Sequence, residues 1–175
     1  MDISYFMQIM KANANRIQAL VNGVSIEEAR WKPGPNSWSI LEVINHLYDE
    51  EKEDFRVRLN IILHHSEQPW PPIDPGGWVS ARHYNKRDLP ASLDNFLEER
   101  QNSLEWLASL EENVDWDKVY TTSFGSMRAG DMFTAWITHD HLHMRQLVEL
   151  LRGTLLTRLT PYQGDYAGPW EPQSD

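Results

Sequence analysis

Two histidines four residues apart, His139 and His143, mark the segment of this 175-residue chain in which chemistry is easiest to infer. In a helix, residues four apart lie within about 40° of each other and one turn apart, so two imidazoles at this spacing can share a metal ion. His141 lies between them but is rotated by about 200° from His139, so a helical segment directs it away from the pair. The spacing therefore predicts two metal ligands on one helix.

A third histidine, His46, lies in the middle of another predicted helix, beside the apolar residues Val43 and Leu47. If the two helices are neighbours, His46 meets His139 and His143, and three ligands leave an open position, as in catalytic metal sites. The alternative is structural, because a histidine on an apolar face is often a buried core residue and a pair at this spacing also arises by chance. The other four histidines are expected on the surface: His64, His65, His83 and His141.

Several residues could support such a site. Glu42 and Glu50 lie one turn before and one turn after His46, so either carboxylate could orient the imidazole or supply an oxygen ligand. Trp136 and Gln146 share the helix face of the histidine pair and are expected beside the site or its pocket. No residue is identified as catalytic, because the chain contains no serine-nucleophile elbow, phosphate-binding loop or dinucleotide fingerprint.

The elements that must position these residues are helical. Apolar residues recur three or four positions apart over residues 3–21, 40–64, 90–110 and 130–153, with Gly153 expected as the last C-terminal cap. Capping-box spacings begin at Ser25 and Ser39. The acidic run at 49–54 is expected to form a solvated helix face. Residues 66–88 are expected to form a long loop, and Trp116 to Phe124 a short extended piece with Gly125 at a turn.

Four long amphipathic helices and no convincing strand hairpin predict an all-α protein, an antiparallel four-helix bundle with a long loop between its second and third helices. The expected division is a bundle over residues 1–153 and an irregular tail over 154–175 that packs on the bundle or extends from it. Apolar residues on the first helix, Phe6, Met7 and Met10, extend beyond one stripe and suggest a homodimer, although they could equally belong to the core.

Composition excludes several classes of function. The chain has 26 Asp and Glu against 16 Lys and Arg, so a groove that binds nucleic-acid phosphates is disfavoured. With 0 Cys, it can form no disulfide, zinc-thiolate site or cysteine nucleophile. Neither a signal peptide nor an apolar stretch of membrane-spanning length is evident, so a cytoplasmic protein that does not bind membranes is expected.

Two blocks of sequence resemble the DinB-like superfamily, also called the DinB/DfsB metal-dependent hydrolase-like family. The blocks are 38–47, with Glu51 after it, and 138–147; Tyr84 and the helix around 96–100 are similar to the family's middle section, so the likeness covers about residues 5–152. The family's metal ligands fall on His46, His139 and His143. The resemblance implies one divalent transition metal such as Ni, Zn or Fe, a bundle that is often dimeric, and, in characterised relatives, a low-molecular-weight thiol as cosubstrate.

These observations predict a metal-dependent enzyme of the thiol S-transferase type, in which the metal lowers the pKa of a low-molecular-weight thiol that attacks a small-molecule substrate. Two alternatives remain. One is a metal-dependent hydrolase of a small substrate, in which the metal activates water instead. The other is a non-catalytic, stress-linked binding or dimerisation module.

Overall fold

The computed structural model describes residues 1–110, 113–122 and 125–170, which are mostly helical. The α-helices of these ranges are α1 (Ile3–Val21), α2 (Ile26–Arg30), α3 (Ile40–Asp49), α4 (Arg56–His64), α5 (Pro75–Ala81), α6 (Leu89–Ala108) and α7 (Ala129–Leu159). A π-helical segment, Glu50–Phe55, joins α3 to α4 without interruption. Strands β1 (Val119–Thr122) and β2 (Gly125–Arg128) form an antiparallel hairpin between α6 and α7.

The helix starts follow from local hydrogen bonding. Ser25 and Glu28 form one capping box and Ser39 and Glu42 form another, each side chain satisfying the backbone N–H at the other position. Asp88 caps α6, whose second residue is proline. These features confirm the helix starts that the sequence predicts.

Four long helical units, namely α1, the α3–π–α4 unit, α6 and α7, form the predicted four-helix bundle, which is confirmed. Phe6 packs on Phe133 and Asn13 bonds to Asp140, so α1 and α7 run parallel. The α3–π–α4 unit runs antiparallel to α7, because its residues meet α7 in reverse order along the chain. This antiparallel pair carries the histidines.

The interior consists of two apolar clusters, one around Phe133 and Leu59 and the other around Ile44 and Leu147. On every long unit the two clusters are separated by buried polar residues. These are Asn13 on α1, Glu50 and Glu51 in the π-helical segment, Arg100 on α6, and Asp140 and His143 on α7. The bundle therefore contains a polar layer midway along its core.

The acidic run at 49–54 was expected to be solvated, and that expectation was wrong. Asp49, Glu50, Glu51 and Asp54 are each no more than 6% exposed. A π-helical turn is wider than an α-helical one, so adjacent faces can both turn inward. Cationic partners from other elements or the next turn then compensate three of these charges: Arg82 for Asp49, Arg100 for Glu51 and Arg58 for Asp54.

Three further expectations need correction. The 66–88 segment contains α5, capped by Asp74 through the Gly77 N–H, and a 3-10 turn at 84–86. A strand hairpin is present, with Gly125 in β2 at φ +134°; Phe124 lies outside the described residues. The last helix does not end at Gly153 but continues to Leu159, and Gly153 instead gives space to the Trp31 indole, which an added Cβ would approach to 2.7 Å.

In the described part of the chain, no helix has both the length and the apolar character needed to cross a membrane.

Candidate metal centre

The structure brings together the three histidines that the sequence singles out. His46 Nε2 lies 3.3 Å from His139 Nε2, and His143 Nε2 lies 3.0 Å from the same atom. One ring nitrogen from each histidine lies within 4.8 Å of the others. Two imidazoles bound to one ion at about 2.0–2.1 Å would have nitrogens roughly 2.8–3.4 Å apart in cis octahedral or tetrahedral geometry. The two Nε2 separations from His139 therefore fit a shared metal ion.

The three imidazoles are neutral in the folded chain. Burial, together with the neighbouring His143 and His139, lowers the pKa of His46 to about 2. Burial and His143 likewise lower the pKa of His139 to about 3, and burial lowers the pKa of His143. A metal requires the unprotonated ring nitrogen, so the site does not have to lose protons before an ion binds.

A hydrogen bond fixes the orientation of one imidazole. His143 Nδ1 lies 2.8 Å from the Gln146 side-chain oxygen, which can only accept a hydrogen bond. His143 therefore carries its proton on Nδ1 and directs the Nε2 lone pair toward the other two rings. Gln146, expected beside the site, thus contacts one of the three histidines directly.

The corresponding contact to His46 is longer. Its Nδ1 lies 3.8 Å from Glu50 Oε1, and both atoms are buried without a hydrogen-bond partner among the described residues. Burial, followed by the nearby Asp54, raises the pKa of Glu50 to about 8, which favours the protonated carboxyl group. A small shift of the carboxyl would let the His46 Nδ1–H donate to Glu50.

Aromatic rings enclose the histidines. Trp38 lies 4.8 Å from His46 between ring centroids and is parallel to His143 at 6.2 Å. Phe55 lies 5.0 Å from His139. Trp38 directly precedes the N-cap of α3, a position typical of local packing, so the sequence pattern did not identify its place at the site.

A buried ionic network lies beside the triad. The Arg100 side chain is only 2% exposed. Its Nη1 and Nη2 donate to the two carboxylate oxygens of Asp140, each at 2.8 Å. Its Nε donates to Glu51 Oε1 at 2.8 Å, and Nη2 also donates to this oxygen. Its Nη1 also reaches the Met10 carbonyl oxygen at 3.0 Å. Burial alone would lower the pKa of Arg100, but Glu51 and Asp140 raise it above its usual range. The guanidinium is therefore charged and its partners are acidic residues on two other helical units.

The network positions the histidine-bearing helix. Asp140 directly follows His139 and also accepts from Asn13 Nδ2 at 3.1 Å, which ties α1 to α7. Trp136, one turn earlier, donates from Nε1 to Glu51 Oε1 at 2.7 Å. The sequence analysis did not identify Arg100 in this role. A charged residue at a position of the apolar stripe, between Phe96 and Leu104, indicates a buried ion pair and could have identified it.

The remaining candidates occupy other places. Glu42 accepts from the Ser39 N–H at 2.9 Å and pairs with Lys32 at 2.7 Å, so its carboxylate is engaged in capping α3. Trp136 is buried in the core next to Glu51. The four other histidines are exposed, as the sequence predicts: His64, His65, His83 and His141.

A cleft of about 800 Å³ adjoins the triad at His143. Its wall includes Trp38, Gln146 and Leu142, and Trp170 of the C-terminal segment lies at its edge, with the Arg152 guanidinium 4.5 Å from the Trp170 ring. The cleft gives solvent and small molecules access to the region of His143 and Gln146.

The sequence matches the profile of the DinB superfamily over residues 9–147, which is most of the chain. The chain belongs to the DinB superfamily. Among solved structures, this DinB-superfamily chain is similar to YfiT from Bacillus subtilis, with a TM-score of 0.75, 16% sequence identity and coverage of 87% of each chain. YfiT is described as a probable metal-dependent hydrolase with an unusual four-helix bundle topology. At this identity the likeness shows the fold. No curated protein matches the chain.

Proposed function

We propose that this chain is a metal-dependent enzyme in which His46, His139 and His143 hold one divalent transition-metal ion. The observation that carries the proposal is the convergence of three neutral, largely buried imidazoles whose nitrogens are 3.0 and 3.3 Å apart. Imidazole nitrogen suits Zn, Ni, Fe and Cu alike, so the donors do not select the element. A bound ion would supply Lewis acidity that lowers the pKa of a thiol or a water molecule.

We assign the reaction to the low-molecular-weight thiol S-transferase type. A thiol loses its proton to water, its sulfur forms a bond to an electrophilic carbon of a small substrate, and the leaving group departs with the electrons of the bond that breaks. The chain itself has 0 Cys, so the sulfur comes from the cosubstrate. Membership of the DinB superfamily and the cleft at His143, which has room for a small organic molecule, support this assignment.

Each protein group has a separate task in this scheme. The Gln146 oxygen holds the Nδ1 proton of His143, so Nε2 stays available as a donor. Trp38 and Phe55 cover the rings and exclude water from part of the site, which strengthens electrostatic interactions there. The Arg100 network fixes α7 against the π-helical segment, and so sets the separation of His46 from the pair on α7.

The second candidate is a metal-dependent hydrolase, which the description of YfiT favours. The third, a non-catalytic binding or dimerisation module, remains the alternative if metal binds without turnover. The proposed homodimer stands on family resemblance, since Met10 is fully buried and Phe6 and Met7 pack against the core. Light scattering at micromolar concentration, compared with the 20.5 kDa monomer mass, tests it.

One experiment separates these functions. The chain is reconstituted with Co²⁺ or Ni²⁺, and elemental analysis should find about one ion per chain. A low-molecular-weight thiol should then change the d–d spectrum and accelerate conjugation to a haloaryl electrophile, and both effects should be lost in His46→Ala. Metal-dependent turnover of esters without any thiol would identify a hydrolase. Absence of bound metal under these conditions would overturn the proposal.

A further inference from the structure

A second cavity, of about 560 Å³, lies beneath the hairpin and away from the triad. Its walls come from α4, the segment that follows α4, and both strands of the hairpin. Arg58 in its wall is twelve residues after His46, roughly 15 to 18 Å along the helical axis. The cavity is therefore separate from the site proposed for the metal.

Hydrogen bonds hold the cavity open. The Tyr120 hydroxyl accepts from the Trp70 backbone N–H at 3.1 Å and donates to the Gln68 carbonyl at 2.8 Å. The two rings stack at a centroid distance of 4.8 Å and an angle of 7°. Lys118, the residue before β1, donates from Nζ to the Leu63 carbonyl oxygen at 2.6 Å and so connects the start of β1 to the end of α4. These contacts give the cavity a fixed shape.

Arg58 is held on two sides. Its Nε lies 2.7 Å from Asp54 Oδ1, and its guanidinium lies 4.7 Å from the centroid of the Trp70 ring. The side chain is only 17% exposed. The Nε contact with Asp54 is an ion pair without hydrogen-bond geometry, and no hydrogen bond from the two terminal nitrogens is present among the described residues. Trp70 Nε1 is likewise buried without an acceptor there. The cavity wall thus contains a fixed guanidinium whose outer hydrogen-bond donors are unused.

Arg100 of the same chain shows which groups such a guanidinium can bind. It binds two carboxylates, one from Glu51 and one from Asp140. Arg58 pairs with only one carboxylate, that of Asp54. The side of its guanidinium that would correspond to the second carboxylate of Arg100 faces the cavity. The planar guanidinium fork matches a carboxylate in a bidentate geometry.

We propose that this cavity binds a small carboxylic acid, whose carboxylate pairs with the terminal nitrogens of Arg58. The hydrocarbon part of the ligand packs against the apolar wall formed by Pro69, Pro71 and Met127. A volume of this size accommodates an acid with a short aliphatic chain or a single ring. The proposal is independent of the metal and of the reaction assigned to the triad.

The test is a titration of the full chain with hexanoate, and separately with hexanamide, followed by the NMR signals of the Trp70 indole and the Arg58 guanidinium. Hexanoate should give a saturable shift at both residues with a Kd of about 1 mM. Hexanamide has the same shape without the charge and should bind at least about tenfold more weakly. Equal binding of the two probes would overturn the proposal.

Two variants locate the binding. Arg58→Lys keeps the positive charge but lacks the planar fork, and should weaken hexanoate binding about tenfold. The matched control is Arg56→Lys, an arginine on the same helix that pairs with Glu99 outside the cavity, and this change should leave the Kd unaltered. Met127→Trp reduces the cavity volume while keeping Arg58, and should abolish binding.

These variants also provide the outcomes that reject the site. Unchanged binding in a folded Arg58→Lys variant, or in Met127→Trp, would show that the carboxylate binds elsewhere. Shifts confined to the Trp38 indole would place hexanoate at the triad instead, and would overturn the proposal. If a variant fails to fold, the comparison of hexanoate with hexanamide on the unaltered chain decides the question.

Discussion

The histidine triad and the Arg100 network lie side by side in the same polar layer, on adjacent residues of α7, yet they balance their burial in opposite ways. Arg100 carries a full charge and is paired with two carboxylates, Glu51 and Asp140. Asn13 and the Trp136 indole donate further hydrogen bonds to these carboxylates. The triad has no carboxylate hydrogen-bonded to it among the described residues and remains neutral, with its Nε2 atoms facing one another.

This difference separates a structural polar group from a candidate functional one. In the network each side-chain nitrogen of Arg100 is bonded within the protein, and two carboxylates share its single positive charge. Glu51 Oε2 is the network atom left buried without a hydrogen-bond partner among the described residues. The triad brings the Nε2 atoms of three imidazoles close together. A neutral imidazole carries one proton on one of its two ring nitrogens, so the three rings have few N–H groups to donate to one another's lone pairs. A cation supplies what the triad lacks. Burial alone does not identify a site; unsatisfied donors or acceptors that converge do.

The largest expected effect comes from breaking the charge balance of the network. Arg100→Met leaves Glu51 and Asp140 buried without their cation, and should lower the free energy of unfolding by about 3–5 kcal/mol. Urea denaturation of the metal-free chain measures it. Arg56→Met, which removes a more exposed arginine paired with Glu99, should cost less than half as much.

A triple variant sharpens this prediction. Glu51→Gln and Asp140→Asn, combined with Arg100→Met, remove both uncompensated charges and should recover most of the lost stability. Failure of the triple variant to recover would show that the network contributes through packing geometry and not through charge balance.

The second effect concerns the proposed metal site. His143→Ala should weaken binding of Co²⁺ or Zn²⁺ at least about a hundredfold, because one of three ligands is lost. The metal-free variant should lose less stability than Arg100→Met does, since no buried charge is left unpaired. His141→Ala is the matched control: it is two residues away and exposed, and should leave the affinity unchanged. Chelator competition gives the affinities, and equal values for both variants would contradict the assignment.

Sequence reasoning succeeded where the determining contacts are local. Capping boxes at Ser25 and Ser39 and the apolar period set the helices, and the spacing of His139 from His143 put two imidazoles on one face. It failed where distant partners decide. The acidic run looked solvated because Arg58, Arg82 and Arg100 compensate it only in the folded chain. Gly153 looked like a C-terminal cap because the Trp31 ring that occupies the space beside it comes from a distant part of the sequence.

The pH dependence of the free energy of unfolding tests whether the histidines of the triad are neutral in the folded chain. In the folded metal-free chain the pKa of His46 is about 2 and that of His139 about 3, whereas a histidine in the unfolded chain has a pKa of 6.5. Below about pH 6.5 the unfolded state therefore binds more protons, and each histidine lowers stability by up to about 1.4 kcal/mol per pH unit as the pH falls.

Glu50 acts in the opposite direction. Its pKa is about 8 when folded and 4.5 when unfolded, so it lowers stability as the pH rises between those values. Burial also raises the pKa of Asp54, which therefore acts in the same direction as Glu50. Three histidines outweigh these two carboxyl groups below pH 6.5, and the metal-free chain should be most stable near that pH. Urea denaturation across pH 5 to 8 measures this profile, and His143→Gln should reduce the slope on the acid side. An acid slope that does not change in this variant would contradict the neutral state inferred for His143.

The smallest expected effect comes from Gln146, which contacts the triad without belonging to it. Gln146→Leu removes the acceptor of the His143 Nδ1–H, so the ring can rotate or exchange tautomers, and metal affinity should fall about tenfold. Gln101→Leu makes the same substitution on an exposed part of α6 and should leave the affinity unchanged. Gln146→Glu restores an acceptor and should recover binding, which a mere packing role would not predict. If Gln146→Leu binds metal as tightly as the unaltered chain, the orientation of His143 is set by Trp38 and the surrounding helix and not by its hydrogen bond.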